Sequence, residues 1–508
     1  MSADASSDSE GSSHGQILRS SALIGSSQVL ILGISIVRTK LLAVLLGPAG
    51  YGLMTVYWSI GDLASSIASL GVDRSGVRQI AVSAGSGDSD RIARTATVLR
   101  RLSVVLGLVG AGVVVILSPS ISTVTFGDRS YSGGIAVLSL MVLAKVVAGG
   151  QAALIQGLRR IGDLAMLGIV GALGGTAASV ALVYFMGASA VAYAVVGVAV
   201  VALCASWWYS RPSRVGYGAT GQVDFGQESR DLIKLGFAFM ASGFLTLGAS
   251  YVVRMMIIRF DGLQAAGYYQ AAWALGSLYV GMILQAMGAD FYPRLSAAIA
   301  DSTTANRLVN EQTHVSLLLA GPGIVATLSA SALLLTLFYS ADFVAAVGIL
   351  HYICLGMALR VITWPIGYII VAQGRRSVFF ATELAWAIAN VSLSWLCIVR
   401  FGLIGVGVAF FLSYVFHWIM IYPIVRRMTG FRWTATNRRV GAIYLLLAAA
   451  VFAAVQVLTP LQALAIGILV SGLSAAYSLK LLASLVPLEQ LPKPLRRAAK
   501  LVARGSVG

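Results

Sequence analysis

The chain has 508 residues, of which 58% are apolar and only 11% are Asp, Glu, Lys or Arg. A soluble domain carries about a quarter charged residues, and a water-soluble core stops growing near roughly 300 residues. The composition therefore excludes a string of soluble domains and points to an integral membrane protein. The net charge of +17 does not imply nucleic acid, because the cations gather in connections on one side of the spans. Cys204, Cys354 and Cys397 lie in apolar stretches without metal spacing, and the four histidines form no HExxH cluster. No metal, cofactor or catalytic residue is expected.

Residues 1–16, MSADASSDSEGSSHGQ, are Ser-rich and acidic, lack a signal peptide's basic start, and read as disordered. Apolar runs of spanning length, about twenty residues each, then recur to the end. Fourteen are expected, at 20–46, 50–70, 102–118, 131–156, 164–186, 189–209, 235–258, 266–290, 313–338, 344–372, 377–398, 403–424, 440–457 and 461–485. Period-2 alternation is absent, so the spans are helices. Basic residues crowd every second connection: Arg100 and Arg101, Arg159 and Arg160, Arg375 and Arg376, Arg426 and Arg427. Only Arg129, Arg259 and Arg400 fall in the alternate ones. The positive-inside rule places the crowded side, and both termini, in the cytoplasm. The terminal PKPLRRAAKLVARG suits a helix lying on anionic lipid or a plain basic stop.

An internal repeat organises the spans. LLGPAGYG at 45–52 echoes GLQAAGYY at 262–269, and Gly71 with Asp73 matches Gly288 with Asp290. Gln156-Gly157 before Arg159-Arg160 matches Gln373-Gly374 before Arg375-Arg376. These matches share an offset of 217, while Val37-Arg38 matches Val253-Arg254 at 216. Spans 1–6 and 7–12 read as two copies with the same orientation, a parallel repeat about an axis along the membrane normal. The expected division is a disordered cytoplasmic N-terminus (1–16), a six-helix bundle (17–210), a cytoplasmic linker (211–234) and a second six-helix bundle (235–427). Two additional helices (428–486) and a basic cytoplasmic tail (487–508) complete it.

Two parallel six-helix bundles, the start KLLAVLLGPAGYGL and the basic connection after span 2 resemble the multidrug/oligosaccharidyl-lipid/polysaccharide (MOP) exporter superfamily. Within it, the segment from Arg38 to Ala81 most resembles O-antigen translocases, the Wzx-type flippases. The resemblance implies a MATE-like all-α polytopic fold in a bacterial cytoplasmic membrane. It also implies an anionic lipid-linked oligosaccharide on a polyprenyl diphosphate as substrate, with membrane lipids and other polysaccharide assembly proteins as partners. Many relatives have twelve helices; the extra hairpin is shared in count with the lipid II flippase branch.

Six basic residues fall within spans: Arg38, Lys40, Lys145, Arg254, Arg360 and Lys480. Each costs about 3 kcal/mol at the bilayer centre unless it meets a cavity or a partner. Lys480 is near enough to a helix end to snorkel. Arg38 and Arg254 sit on spans 1 and 7, Lys145 and Arg360 on spans 4 and 10, at nearly equivalent repeat positions. They read as a cationic cavity for an anionic substrate, Arg gripping phosphate in two parallel hydrogen bonds and Lys acting as a point charge. The competing reading is structural: Asp62 and Glu383, the two acids clearly inside spans, neutralise one cation each, and Arg254 snorkels. His417 is a candidate proton relay or a buried neutral histidine. Tyr268, Tyr269, Trp273 and Tyr279 could stack on sugars or pack the bundle, and Gly321-Pro322-Gly323 and Pro365 are expected bends.

The expected function is translocation of the lipid-linked oligosaccharide by alternating access. A lipid II-type flippase or a multidrug antiporter of the same superfamily is the alternative, the latter needing acids and not arginines in its cavity. A membrane glycan polymerase or ligase would need a sizeable outer loop, and the longest here is about a dozen residues near Asp128-Arg129.

Overall fold

The computed structural model describes residues 4–211 and 225–485. Most of the expected linker, 212–224, and the basic tail lie outside them. Every described element is helical: α1 (Asp4–Ala68), α2 (Val72–Gly85), α3 (Ser89–Phe126), α4 (Ser132–Gly157), α5 (Ile161–Met186), α6 (Val191–Ser210) and α7 (Phe225–Ala298). They continue as α8 (Ser302–Ser329), α9 (Ser331–Phe338), α10 (Val347–Ala372), α11 (Arg376–Phe401), α12 (Ile404–Thr429), α13 (Ala435–Val457) and α14 (Pro460–Leu485).

Among the described residues ten helices are long and apolar enough to cross a membrane, or up to eleven counting the α8–α9 pair, which bends by 83°. Three of the ten, Gly25–Ala68, Ile161–Ser210 and Gly243–Gly288, run for 44, 50 and 46 residues. Bilayer hydrocarbon is about 30 Å thick and a helix rises about 1.5 Å per residue, so each is at least twice the length of one crossing. Each is interrupted near its middle by a glycine at positive φ: Gly47 (φ 62°, ψ −178°), Gly187 (φ 65°, ψ −147°) and Gly262 (φ 81°, ψ −177°). An L side chain at such a φ is strained, and Pro48 after Gly47 begins the next segment with its φ already helical. The fourteen crossings expected from the sequence require each of these three helices to cross twice.

The breaks also set the repeat register. Gly47 and Gly262 are 215 apart, as are the C-caps Gly187 (φ 65°, ψ −147°) and Gly402 (φ 60°, ψ −146°). The N-caps Arg160 (φ −77°, ψ 69°) and Arg375 (φ −75°, ψ 68°) are 215 apart too. The offset of 217 taken from dipeptide matches is therefore corrected to 215 through these elements. In this register Arg159, at φ 54°, is the counterpart of Gly374, at φ 66°, and not of the first arginine after it.

Contacts divide the chain into Met1–Gly267 and Tyr268–Gly508. The first half of α7 thus belongs with the first unit, whereas the repeat had suggested a boundary before residue 235. Packing explains the difference. Leu232 is fully buried among Val72, Leu99 and Leu154, and its carbonyl accepts from Ser75 Oγ at 2.8 Å. A Cβ on Gly71 would stand 2.2 Å from the Gly236 carbonyl oxygen, and one on Gly52 2.0 Å from that of Leu263. Only glycine lets those backbones meet.

In the second unit Phe291, Leu295, Val309, Ile366, Ile421 and Phe431 form the core. Helices α13 and α14 pack on α8: the Tyr444 ring sits over Gly321, and Ser329 meets Gly467. Gly321 and Gly323 make room for the rings of Tyr444 and Tyr279, so the expected bend at Gly321-Pro322-Gly323 is not where α8 turns; the 83° bend comes at Ala330. A polar network fastens the connection into α13. Asn437 Nδ2 donates to the Asn310 carbonyl at 2.7 Å, His314 Nδ1 meets Asn437 Oδ1 at 3.0 Å, and Thr434 N donates to Asn310 Oδ1 at 3.0 Å.

Two outcomes test this architecture. Gly52→Ala should lower the melting temperature, by the equivalent of about 1–3 kcal/mol of overpacking, while Gly112→Ala, with nothing within 4 Å, should not. Ser89 and Ser130 are both exposed, at opposite ends of α3. In a background without Cys204, Cys354 and Cys397, Ser130→Cys should label with an impermeant thiol reagent in intact cells, and Ser89→Cys only after permeabilisation. The converse pattern reverses the orientation.

Candidate functional site

In the first unit the second segment of α1 carries Asp62, Ser65 and Ser66, and Ser69 just past its end continues the spacing, on the face turned to α4. Lys145 of α4 forms an ion pair with Asp62. Its ammonium also lies 5.7 Å from the centre of the Trp58 ring. Both side chains remain a little over one third exposed, because they border a cavity of about 210 Å³. Asp73, Arg74, Gly149 and Met240 are among the other residues of its lining. The sequence used Asp73 only as a repeat marker; the signal that could have found the wall is the 62, 65/66, 69 spacing of polar residues along and just past an otherwise apolar helix.

Arg254 lies on α7, eight residues before the Gly262 break, and its Nη1 donates to Ser59 Oγ at 3.2 Å. One turn earlier Tyr251 Oη and Thr125 Oγ1 share a hydrogen bond at 2.6 Å. These two contacts tie α7 to α1 and α3, and Tyr251 also lines an apolar cleft of about 390 Å³ with Ile60, Ile67, Val109, Val113 and Leu117 among others. Arg38 is half-buried on α1, nine residues before Gly47, and interacts electrostatically with Tyr51.

In the second unit Arg360 on α10 interacts electrostatically with Glu383 on α11 and with Tyr414 and His417 on α12. The rings of Trp386 and Tyr414 are 5.8 Å apart, those of Tyr414 and His417 5.9 Å. Trp386 Nε1 and His417 Nδ1 are buried without a hydrogen-bond partner. The aromatic row on α7 is packing: Tyr268 meets Phe343 at 6.1 Å, Trp273 meets Phe410 at 5.0 Å, and Tyr279 Oη donates to the Leu319 carbonyl at 2.7 Å.

In the corrected register Lys145 and Arg360 are 215 apart, strict counterparts on α4 and α10. Arg38 and Arg254, by contrast, are one residue out of register: Arg38 corresponds to Val253 and Arg254 to Thr39. The structure thus separates the four cations. Lys145 carries an acid partner, Arg360 sits with Glu383, Arg254 is bonded to a serine, and Arg38 faces a tyrosine. Among the described residues no group of three or more His, Cys, Asp and Glu side chains could hold a metal.

The pair is open to a double-mutant test. Lys145→Met alone strands Asp62 and should destabilise by about 1–2 kcal/mol, between the ranges for exposed and buried pairs. Asp62→Asn combined with Lys145→Met should recover most of that loss in a thermal melt of the purified protein.

The fold and these residues can be set beside known proteins. Among solved structures, the lipid II flippase MurJ in an inward closed conformation superposes with a TM-score of 0.65 at 14% identity, over 92% of this chain and 99% of that one. An inward-facing multidrug resistance MATE family transporter of the MOP superfamily gives 0.62 at 16% identity, over 78% and 94%. A MOP superfamily transporter from Pyrococcus furiosus, described as having a binding pocket of reversed polarity, gives 0.52 at 16% identity, over 85% and 94%. These likenesses establish the fold, that of multi-pass transporters. No curated protein sequence matches. The family model described as polysaccharide biosynthesis protein matches residues 17–299, more than half of the chain. With that match, covering all but the first sixteen residues of the first unit, and an all-helical, multi-pass MOP-type fold, this chain belongs to the polysaccharide biosynthesis protein family.

Proposed function

We propose that the chain is a flippase that moves a polyprenyl-diphosphate-linked oligosaccharide across the cytoplasmic membrane by alternating access. The observation that carries the reading is the pair of cations at strictly equivalent positions, Lys145 and Arg360, supplemented by Arg254 and Arg38 on the α1 and α7 segments. A diphosphate is an anion with many acceptors. Arg offers it a planar fork, and Lys a compact point charge. Asp62 holds Lys145 while the site is unloaded; a diphosphate competes for the ammonium, and the freed carboxylate then takes up a proton or water. The apolar cleft lined by Ile60 and Tyr251 would give the aliphatic tail an apolar course within the first unit.

The family match supports glycan biosynthesis, and the MurJ and MATE folds support transport and not catalysis. The glycan is an O-antigen, capsule or exopolysaccharide unit in this reading. A multidrug antiporter is the rival within the fold, and the pairing of Asp62 with Lys145 weighs against it, since that acid is already engaged.

Arg38→Ala and Arg254→Ala should each reduce surface polysaccharide at least about tenfold, the loss of one charge-assisted contact, at unchanged protein level in the membrane. Arg→Lys at either position should restore only part, because the ammonium lacks the fork. Normal polysaccharide in both alanine variants at native expression removes the two residues from the mechanism.

A further inference from the structure

Away from that site, α3, α4 and α6 of the first unit enclose a second polar cavity of about 210 Å³. Arg100, Gln151, Trp207, Ser210 and Arg211 line it, with Val104 at its edge. At roughly 30 Å³ per water it has room for about seven. None of its lining residues is acidic. The Arg211 guanidinium lies 3.8 Å from the Trp207 ring centre and 4.9 Å from that of Trp208. Stacking of this kind fixes the guanidinium plane and leaves its edge to donate. Arg100 Nη2 donates to the Ser210 carbonyl at 3.3 Å, which ties the first guanidinium to the end of α6. Gln151 is buried, and its Oε1 accepts from Ser206 Oγ at 2.6 Å, so what it offers the cavity is its amide donors. Two cations and a buried amide donor make an anion site.

The rim says which anion. Trp207 is 50% exposed, Trp208 62% and Val104 42%. Exposed indoles beside arginines at a helix end are the composition of a membrane–water interface. The helix end in question is the arginine-rich one that the charge pattern assigns to the cytoplasm. A free phosphate would have no use for such a rim, whereas a phospholipid brings both a phosphodiester and acyl chains. Nor is the cavity part of the duplicated machinery: the counterpart of Gln151 in the 215 register is Ile366, fully buried in the apolar core of the second unit.

We propose that this cavity is a binding site for the phosphate head group of an anionic phospholipid, seated between Arg100 and Arg211 with its chains along the Trp207–Trp208 rim. The site is independent of the translocation residues.

The full chain in nanodiscs of neutral lipid, titrated with spin-labelled phosphatidylglycerol or spin-labelled phosphatidylcholine, reads binding through tryptophan quenching. The expected preference for phosphatidylglycerol is at least about tenfold, one charge-assisted contact's worth. It should fall to within about twofold in Arg100→Gln/Arg211→Gln. Arg211→Gln alone, at the very end of α6, provides a variant that folds if the double does not, and should lose most of the preference. Arg211→Lys should retain part of it. A preference unchanged in Arg211→Gln overturns the site. Displacement of the labelled phosphatidylglycerol by inorganic phosphate at equal concentration overturns the lipid assignment and leaves a free-anion site.

Discussion

A full charge or an unbonded polar group in hydrocarbon costs several kcal/mol, and no water is at hand to relieve it. That cost orders this molecule. It forces the backbone into helices, whose hydrogen bonds close within one segment. It then decides where each polar side chain can stand. Lys145 is tolerable because Asp62 reaches it from α1, and Arg360 stands in the electrostatic range of Glu383 on α11. Asn310, His314 and Asn437 survive burial by satisfying one another, and the same network anchors the turn into α13. Polar groups are thus spent where helices must be fixed or where a cavity needs a wall.

Glycine carries the complementary task of shaping the path. Gly47 and Gly262 take the same positive-φ, extended-ψ conformation 215 residues apart, and Gly187 and Gly402 repeat a second one. The turns are where a duplicated chain is most constrained, since the helices between them admit many apolar residues but the turn admits few. Where the first copy places Arg159 at φ 54° and the second has Gly374, the first bears a strain of about 1–2 kcal/mol.

Spans and duplication were legible from the sequence because apolar length and spacing are properties of one dimension. Helix α4 and helix α10 fall close to where hydropathy put them. Register was less legible: in a chain with 55 glycines, dipeptide matches at 217 outweighed the true turns at 215. That Asp62 would meet a cation was legible, but which one was not, since Asp62 and Lys145 lie 83 residues apart and nothing local joins them. The glycines around Pro322 misled for a similar reason. A Gly-Pro-Gly run reads locally as a bend, yet its space is taken by the rings of Tyr444 and Tyr279, and the helix turns at Ala330 instead. The start of α7 escaped too, because Leu232 packs among Val72, Leu99 and Leu154 and Gly71 meets Gly236, contacts between residues far apart in sequence that leave no local pattern.

The corrected register separates two explanations of the intramembrane cations. If cation and acid were merely a matched structural pair, duplicated together, both members would recur. The cations do: Lys145 and Arg360 are counterparts. The acids do not. The counterpart of Asp62 is Ser277, and that of Glu383 is Gly168. In the first unit an acid on α1 forms an ion pair with the cation, whereas in the second the acid on α11 acts on Arg360 only electrostatically. What the two units share is the position of the positive charge itself, on the middle of α4 and of α10. Pairing with Asp62 explains how Lys145 is tolerated in a membrane, but it accounts for that cation alone and not for the position the two units share.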